Sequence, residues 1–177
     1  IRNKGKLSNG EQVPELQDFI SEVMKAGSCT RLWLDIKNIT SPKTLTDYPI
    51  NACKRACEII TEMKAQNFVE FICTGNQTVM AKSNEYARAA GVEIGWMGNQ
   101  PASVYQQKSY TWANLSTTYM SQGGGERTID EFTKADIAIS VFNADDDATM
   151  NYYISKAKQM KAICTNYPKK LINKMKK

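Results

Sequence analysis

Hydrophobic and polar positions along the chain change period repeatedly, and each change alternates a helical pattern with a strand-like one. From Pro14, the apolar residues Leu16, Phe19, Ile20 and Val23 recur at helical spacing until Gly27 stops the run. Arg31 to Lys37 is an apolar run too short for a helix, and the polar loop from Asn38 to Pro49 closes it, which predicts a strand with charge at its exit. From Ile50, the positions Cys53, Ala56, Cys57, Ile60 and Met63 mark one helix face, with Lys54, Arg55, Glu58 and Glu62 elsewhere on its surface. Val69 to Cys73 predicts a second strand, Gln77 to Ala90 a helix ended by Gly91, and Val92 to Trp96 a third strand. Ile137 to Phe142 is a fourth, followed by a helix from Asp146 to Lys158, a fifth strand from Ala162 to Thr165 and a last helix. Strands alternating with helices imply an α/β fold with parallel pairing and right-handed crossovers.

The stretch from Gln100 to Thr128 is the least regular. Tyr110, Trp112 and Leu115 offer a short extra strand, and the glycine run within Gln122 to Glu126 reads as a flexible turn. Such a run cradles phosphate only where it leaves a strand and opens a helix, so here it reads as a loop tip. The absence of a glycine-rich turn after any first strand likewise places a nucleotide-binding α/β domain last among the readings.

With 177 residues, 42% of them hydrophobic, the chain has enough apolar material for one sizeable core, and residues 1–177 read as a single domain. No apolar run approaches the ~20 residues of a membrane span, and the first residues lack a signal-peptide pattern. A soluble protein is expected, whether periplasmic, secreted or cytoplasmic. Ile1 in place of Met implies that something preceded it in a precursor. The net charge of +5 comes partly from Lys169, Lys170, Lys174, Lys176 and Lys177, where cations suit a helix C-terminus. Basic residues are not gathered with aromatics on one face, so no nucleic-acid partner is expected.

The five cysteines, Cys29, Cys53, Cys57, Cys73 and Cys164, lack a C-x-x-C pair and read as small buried hydrophobes. With no histidine in the chain, a zinc site built on Cys53 and Cys57 would need further thiolates. Sequons at Asn38, Asn76 and Asn114 matter only in a eukaryotic secreted protein.

Several segments together resemble the glycerophosphodiester phosphodiesterase family. Val13-Pro14-Glu15-Leu16 is similar to its Pro-Thr-Leu-Glu helix start, and Leu34-Asp35-Ile36-Lys37 to its strand-four Glu-Ile-Lys. Ile139-Ser140-Val141-Phe142-Asn143-Ala144-Asp145-Asp146 resembles the strand-seven Val-Trp-Thr-Val-Asn-Asp pattern. Ala162-Ile163-Cys164-Thr165-Asn166-Tyr167-Pro168 resembles the strand-eight Ile-Ile-Thr-Asn-Tyr-Pro pattern. The resemblance implies the C-terminal part of a TIM (β/α)8 barrel of the PLC-like phosphodiesterase type, strands four to eight, with about five parallel strands and their helices. The family's first strands, which bring its histidines and most of its metal ligands, have no counterpart here.

The resemblance further implies a divalent cation, Ca²⁺ or Mg²⁺, in the parent enzyme, with Asp35 in the place of a Glu ligand, one methylene shorter. Lys37, two residues on and on the same strand face, falls where the family directs a lysine at the substrate phosphate. On residue types alone, the pair also reads as an ordinary strand-end ion pair. Phe142 takes the place of the family's substrate-lining Trp, and Asp145 that of its Asn. Thr74, Asn76 and Trp96 lie near strand exits and are candidate pocket-lining residues by topology. Asp145, Asp146 and Asp147 look like a metal cluster, but acidic residues at a helix start are the commoner arrangement.

The implied function is metal-assisted hydrolysis of glycerophosphodiesters by a parent protein, with this chain inactive alone because it has no imidazole. The alternative is a non-catalytic module, derived from that family, that binds a phosphate ligand or a protein. An incomplete barrel also predicts open sheet edges and apolar residues such as Leu32, Leu34, Phe71, Val92 and Ile139 on a partly covered inner surface. An upstream fragment, a second copy of the chain or the segment from Gln100 to Thr128 is expected to cover them.

Overall fold

The computed structural model describes residues 8–27, 29–37 and 47–176. Helices and strands alternate: α1 (Leu16–Ala26), β1 (Leu32–Ile36), α2 (Tyr48–Glu62), β2 (Val69–Cys73), α3 (Gln77–Ala89), β3 (Glu93–Trp96), α4 (Ala102–Gln107), β4 (Trp112–Ser116), α5 (Thr117–Gln122), α6 (Glu126–Lys134), β5 (Ala138–Phe142), α7 (Asp147–Ser155), β6 (Met160–Ile163) and α8 (Pro168–Met175). The six strands are parallel and hydrogen-bonded in sequence order, β1 to β6, the topology of a partial (β/α)8 barrel. One strand more than predicted is present, because Trp112–Ser116 is a full inner strand paired with both β3 and β5.

Contacts divide the chain into two compact units, one comprising Ile1–Phe71 with Gly75–Glu93 and the other Ile72–Thr74 with Ile94–Lys177. In the first, the Leu32 N–H donates to the Phe68 carbonyl at 2.8 Å, which starts the pairing of β1 with β2. Cys53, Ala56, Cys57 and Ile60 are buried at the i, i+3, i+4, i+7 spacing of one α2 face, and α2 packs on α3. Asn76 caps α3, its side chain accepting from the Val79 N–H at 2.9 Å. Glu70, only 7% exposed, stands 3.8 Å from the guanidinium of Arg31.

The second unit takes its two-sidedness from the strand pleat. Ala113 and Leu115 are in register with Ile139 and Val141, whereas Trp112, Asn114 and Ser116 are in register with Ala138, Ser140 and Phe142. Trp96 is in register with Ala113, and its ring lies 4.8 Å from that of Tyr105 on α4, which meets Phe132 of α6 at 5.5 Å. The Ala113 face is therefore the helix-covered face. Ile139 belongs to it and is 1% exposed, contrary to the expectation of a partly covered apolar surface. Phe71 at 0% and Val92 at 3% are buried too, and only Leu32 and Leu34 are half-buried. The opposite face carries Trp112, Asn114, Ser140 and Phe142, with the two polar residues at its middle.

The segment from Gln100 to Thr128 does not lie across a gap; it forms α4, β4, α5 and the start of α6. Its glycines end one helix and start the next: Gly123 is the C-cap of α5, and Gly124 and Gly125 have φ of 83° and 48°, which favour glycine. As the run joins helix to helix, it lacks the strand-to-helix setting of a phosphate loop. β6 begins at Met160, earlier than the predicted Ala162, and an irregularity in its register opposite Ile139 and Ser140 takes up the difference.

Candidate functional site

In the first unit, Asp35 and Lys37 share one face at the exit of β1, as residues two apart on an extended chain must. Their ammonium and carboxylate are 2.8 Å apart, with side-chain exposures of 69% for Lys37 and 34% for Asp35. The lysine is thus held over the strand end while most of its donors remain open to solvent. Asn76, in the same unit, is committed to capping α3. Asn38, the first sequon, lies outside the described residues.

In the second unit, the strand exits are tied to one another by side chains. Asn99, after β3, donates from its amide nitrogen to Ser116 Oγ at 3.1 Å and accepts from the Ser116 N–H at 2.9 Å. Asp145, after β5, accepts from Thr165 Oγ1 at 3.0 Å, from the Asn166 N–H at 2.8 Å and from Asn166 Nδ2 at 2.8 Å. Half-buried Phe142 is in register with Ser116, on the strand face opposite Ala113 and Ile139. Thr74 is half-buried at the end of β2. Trp96 sits on the helix-covered face, engaged with Tyr105 and with Tyr110 at 5.7 Å. Burial pushes both tyrosine phenols to higher pKa.

The run Asp145-Asp146-Asp147 separates into three jobs. Asp145 fastens the β6 exit, and Asp146 is the N-cap of α7, accepting from the Thr149 N–H at 2.9 Å. Asp147 pairs with Lys170 at 2.9 Å and Lys174 at 3.1 Å. Each carboxyl is held below the ordinary carboxylate pKa by these donors: for Asp145 first the Asn166 backbone, for Asp146 first the Thr149 side chain, and for Asp147 first Lys170. The helix-start reading of this run is the one the geometry follows.

A divalent cation needs about six or more oxygens around it, several of them from carboxylates or carbonyls. Among the described residues, no three His, Cys, Asp or Glu side chains are gathered, and Asp35 already has an ammonium against it. The described residues therefore do not by themselves fit a complete metal site.

The polar face of β4 and β5 escaped the sequence reading. Asn114 is 3% exposed and its Oδ1 has no hydrogen-bond partner; its register partner Ser140 is fully buried, with Oγ 3.5 Å from Cys164 Sγ. The available signal was a polar residue at the middle of each of two otherwise apolar strands, Trp-Ala-Asn-Leu-Ser and Ala-Ile-Ser-Val-Phe. Burial of Asn114 in β4 also removes it as a sequon.

No family model matches the chain, and no curated protein matches it by sequence. Solved structures do match. A glycerophosphodiester phosphodiesterase from Parabacteroides distasonis superposes with a TM-score of 0.77 at 16% identity, covering 98% of this chain and 68% of that one. The chain has the fold of the glycerophosphodiester phosphodiesterases. A second such enzyme, from Agrobacterium tumefaciens, gives a TM-score of 0.64 at 11% identity, covering 89% of this chain and 60% of that one. The phosphodiesterase fold is thus spanned over only part of those enzymes' lengths. Among the described residues, no helix is long and apolar enough to cross a membrane.

The Asp145 link has a pH signature. Its pKa is lowered in the folded state from an ordinary 3.8, so the unfolded chain binds the proton more readily. The stability contributed is complete above about pH 4 and is lost as pH falls through the lower folded value. In urea melts at successively lower pH, Asp145→Asn should be less stable than the unsubstituted chain near neutrality, and the gap should narrow below about pH 4. A gap independent of pH would mean that the three bonds are unimportant to the charged form.

Proposed function

We propose that the chain is the phosphate-holding part of a glycerophosphodiester phosphodiesterase, and that the parent protein hydrolyses glycerophosphodiesters to an alcohol and glycerol 3-phosphate. The observation that carries this reading is the Asp35–Lys37 pair, 2.8 Å apart at a strand exit, in a chain with that enzyme fold. A strand exit is where (β/α) barrels assemble their sites. Lys37 is a compact, exposed cation suited to a phosphate oxygen.

In the reaction, water adds to phosphorus while the bond to the head-group oxygen breaks. The water gives up a proton and the departing alkoxide gains one. Near neutral pH, these transfers call for groups such as imidazole, and this chain has no histidine. Those groups, and most ligands of a Ca²⁺ or Mg²⁺ ion that Asp35 would help to hold, would have to come from residues other than those of this chain. An upstream fragment or a second copy of the chain would bring such residues and cover the sheet edges. The lack of histidine also favours a second reading, a non-catalytic module that keeps phosphate-ligand or protein binding.

Both readings that hold phosphate make the same first demand on Lys37. Titration of the isolated chain with glycerol 3-phosphate, followed by NMR, should shift resonances around Asp35 and Lys37. Lys37→Ala should weaken that binding about tenfold, the effect of losing one charge-assisted contact. Unchanged binding in Lys37→Ala would remove the lysine from the site.

A further inference from the structure

In the second unit, α5 and α7 leave a cavity of about 480 Å³ between them, within the ~300–1,000 Å³ of small-molecule sites. Two helices packed directly together would present leucine or isoleucine to each other. Here α5 contributes Thr117, Thr118 and Ser121, and α7 contributes Ala148, Thr149, Tyr152 and Tyr153, with Gly125 at the turn. The lining carries hydroxyls and two aromatic rings, which meet edge to face at 5.0 Å, and contains no charged residue.

The hydroxyls are not equally free. Ser121 Oγ donates to the Thr118 carbonyl at 2.9 Å and Thr149 Oγ1 donates to Asp146 at 2.6 Å, so both are used by their own helices. Thr117, Thr118, Tyr152 and Tyr153 have no side-chain hydrogen bond among the described residues. Tyr153 matters most, being 3% exposed. Its ring is buried while its hydroxyl stays accessible in the cavity lining, where a bound molecule can hydrogen-bond to it. Burial also pushes this phenol's pKa up to about 12, so it stays neutral and able to donate. Gly125 keeps the end of the cavity open to Tyr152, since a Cβ there would come within 2.6 Å of the Tyr152 hydroxyl.

We propose that this cavity is a binding site for a small uncharged polyhydroxylated molecule, a polyol or a monosaccharide. Hydroxyls that both donate and accept match a ligand with the same property, the tyrosine rings offer flat apolar surface to its C–H face, and an uncharged lining gives no counter-ion to an ionic one. The site uses neither Asp35 nor Lys37 and stands or falls apart from the phosphodiesterase reading.

The test is NMR titration of the chain with glycerol, myo-inositol and glucose, with glycerol 3-phosphate as the charged comparison. Saturable shifts confined to α5 and α7 are expected with at least one neutral probe. Tyr153→Phe, which removes only the hydroxyl, and Thr118→Val, which keeps the side-chain shape, should each weaken binding about three- to tenfold. Both variants are near-isosteric, and retention of the unsubstituted spectrum elsewhere reports that they fold. No saturable shift with any neutral probe at tens of millimolar, or unchanged binding in both variants, would overturn the proposal.

Discussion

Replacing Trp112 by alanine should cost about 3–5 kcal/mol of stability, as expected for a large aromatic removed from a well-packed interior. Trp112 is fully buried in β4, and its ring lies over Gly95 of β3, so close that a Cβ at residue 95 would come within 2.2 Å of it. The Lys161 ammonium stands 5.4 Å from the centre of the same ring. Gly95→Ala in the unsubstituted chain should therefore cost about 1–3 kcal/mol by overpacking. In the double variant, the new methyl enters space the indole has vacated, so the two costs should not add. Urea melts of the four proteins measure this directly. Strict additivity would show that the ring does not rest on Gly95.

The same neighbourhood explains what was readable in the sequence. Val69–Cys73 is a strand at its predicted limits because a short β-rich run, broken only by Glu70, is closed by Thr74-Gly75-Asn76. β4 was anticipated only as an extra, since Asn114 and Ser116 interrupt its apolar pattern. Those interruptions are the polar face itself, which pairs in register with Ser140 and Phe142. α4 is six residues long with Pro101 as its N-cap, too short for periodicity to speak. The side of the sheet to which Trp96 belongs depends on its register with Ala113, information held by a different strand.

For the candidate site, local spacing was enough to place Asp35 and Lys37 on one face. It was enough as well to mark Asp146 as a helix start. The bonds from Asp145 to Thr165 and Asn166 join positions 20 and 21 residues apart and have no local signature. The glycine run was legible as a turn, but the cavity that Gly125 helps keep open depends on α7 lying opposite α5. Spacing within either helix does not encode that.

The largest functional effect is expected at the strand-exit pair. Under the proposed function, losing Lys37 would remove the cation that meets the phosphate, and losing Asp35 would remove both an oxygen for a divalent cation and the carboxylate that pairs with the lysine at 2.8 Å. If charge builds on the phosphoryl oxygens in the transition state, each substitution should lower kcat/KM of the parent protein by about 10²–10³-fold, the scale set by losing one preorganised electrostatic contact. Lys37→Arg should restore little, because a planar fork does not replace a compact ammonium.

Release of glycerol 3-phosphate from glycerophosphocholine by the parent protein, with and without Ca²⁺ or Mg²⁺, is the most direct measurement. Cation-dependent release by the parent, its near loss in Asp35→Asn and Lys37→Ala, and none from the isolated chain would agree with the account. No release by a folded parent protein, or full activity in both variants, would contradict it.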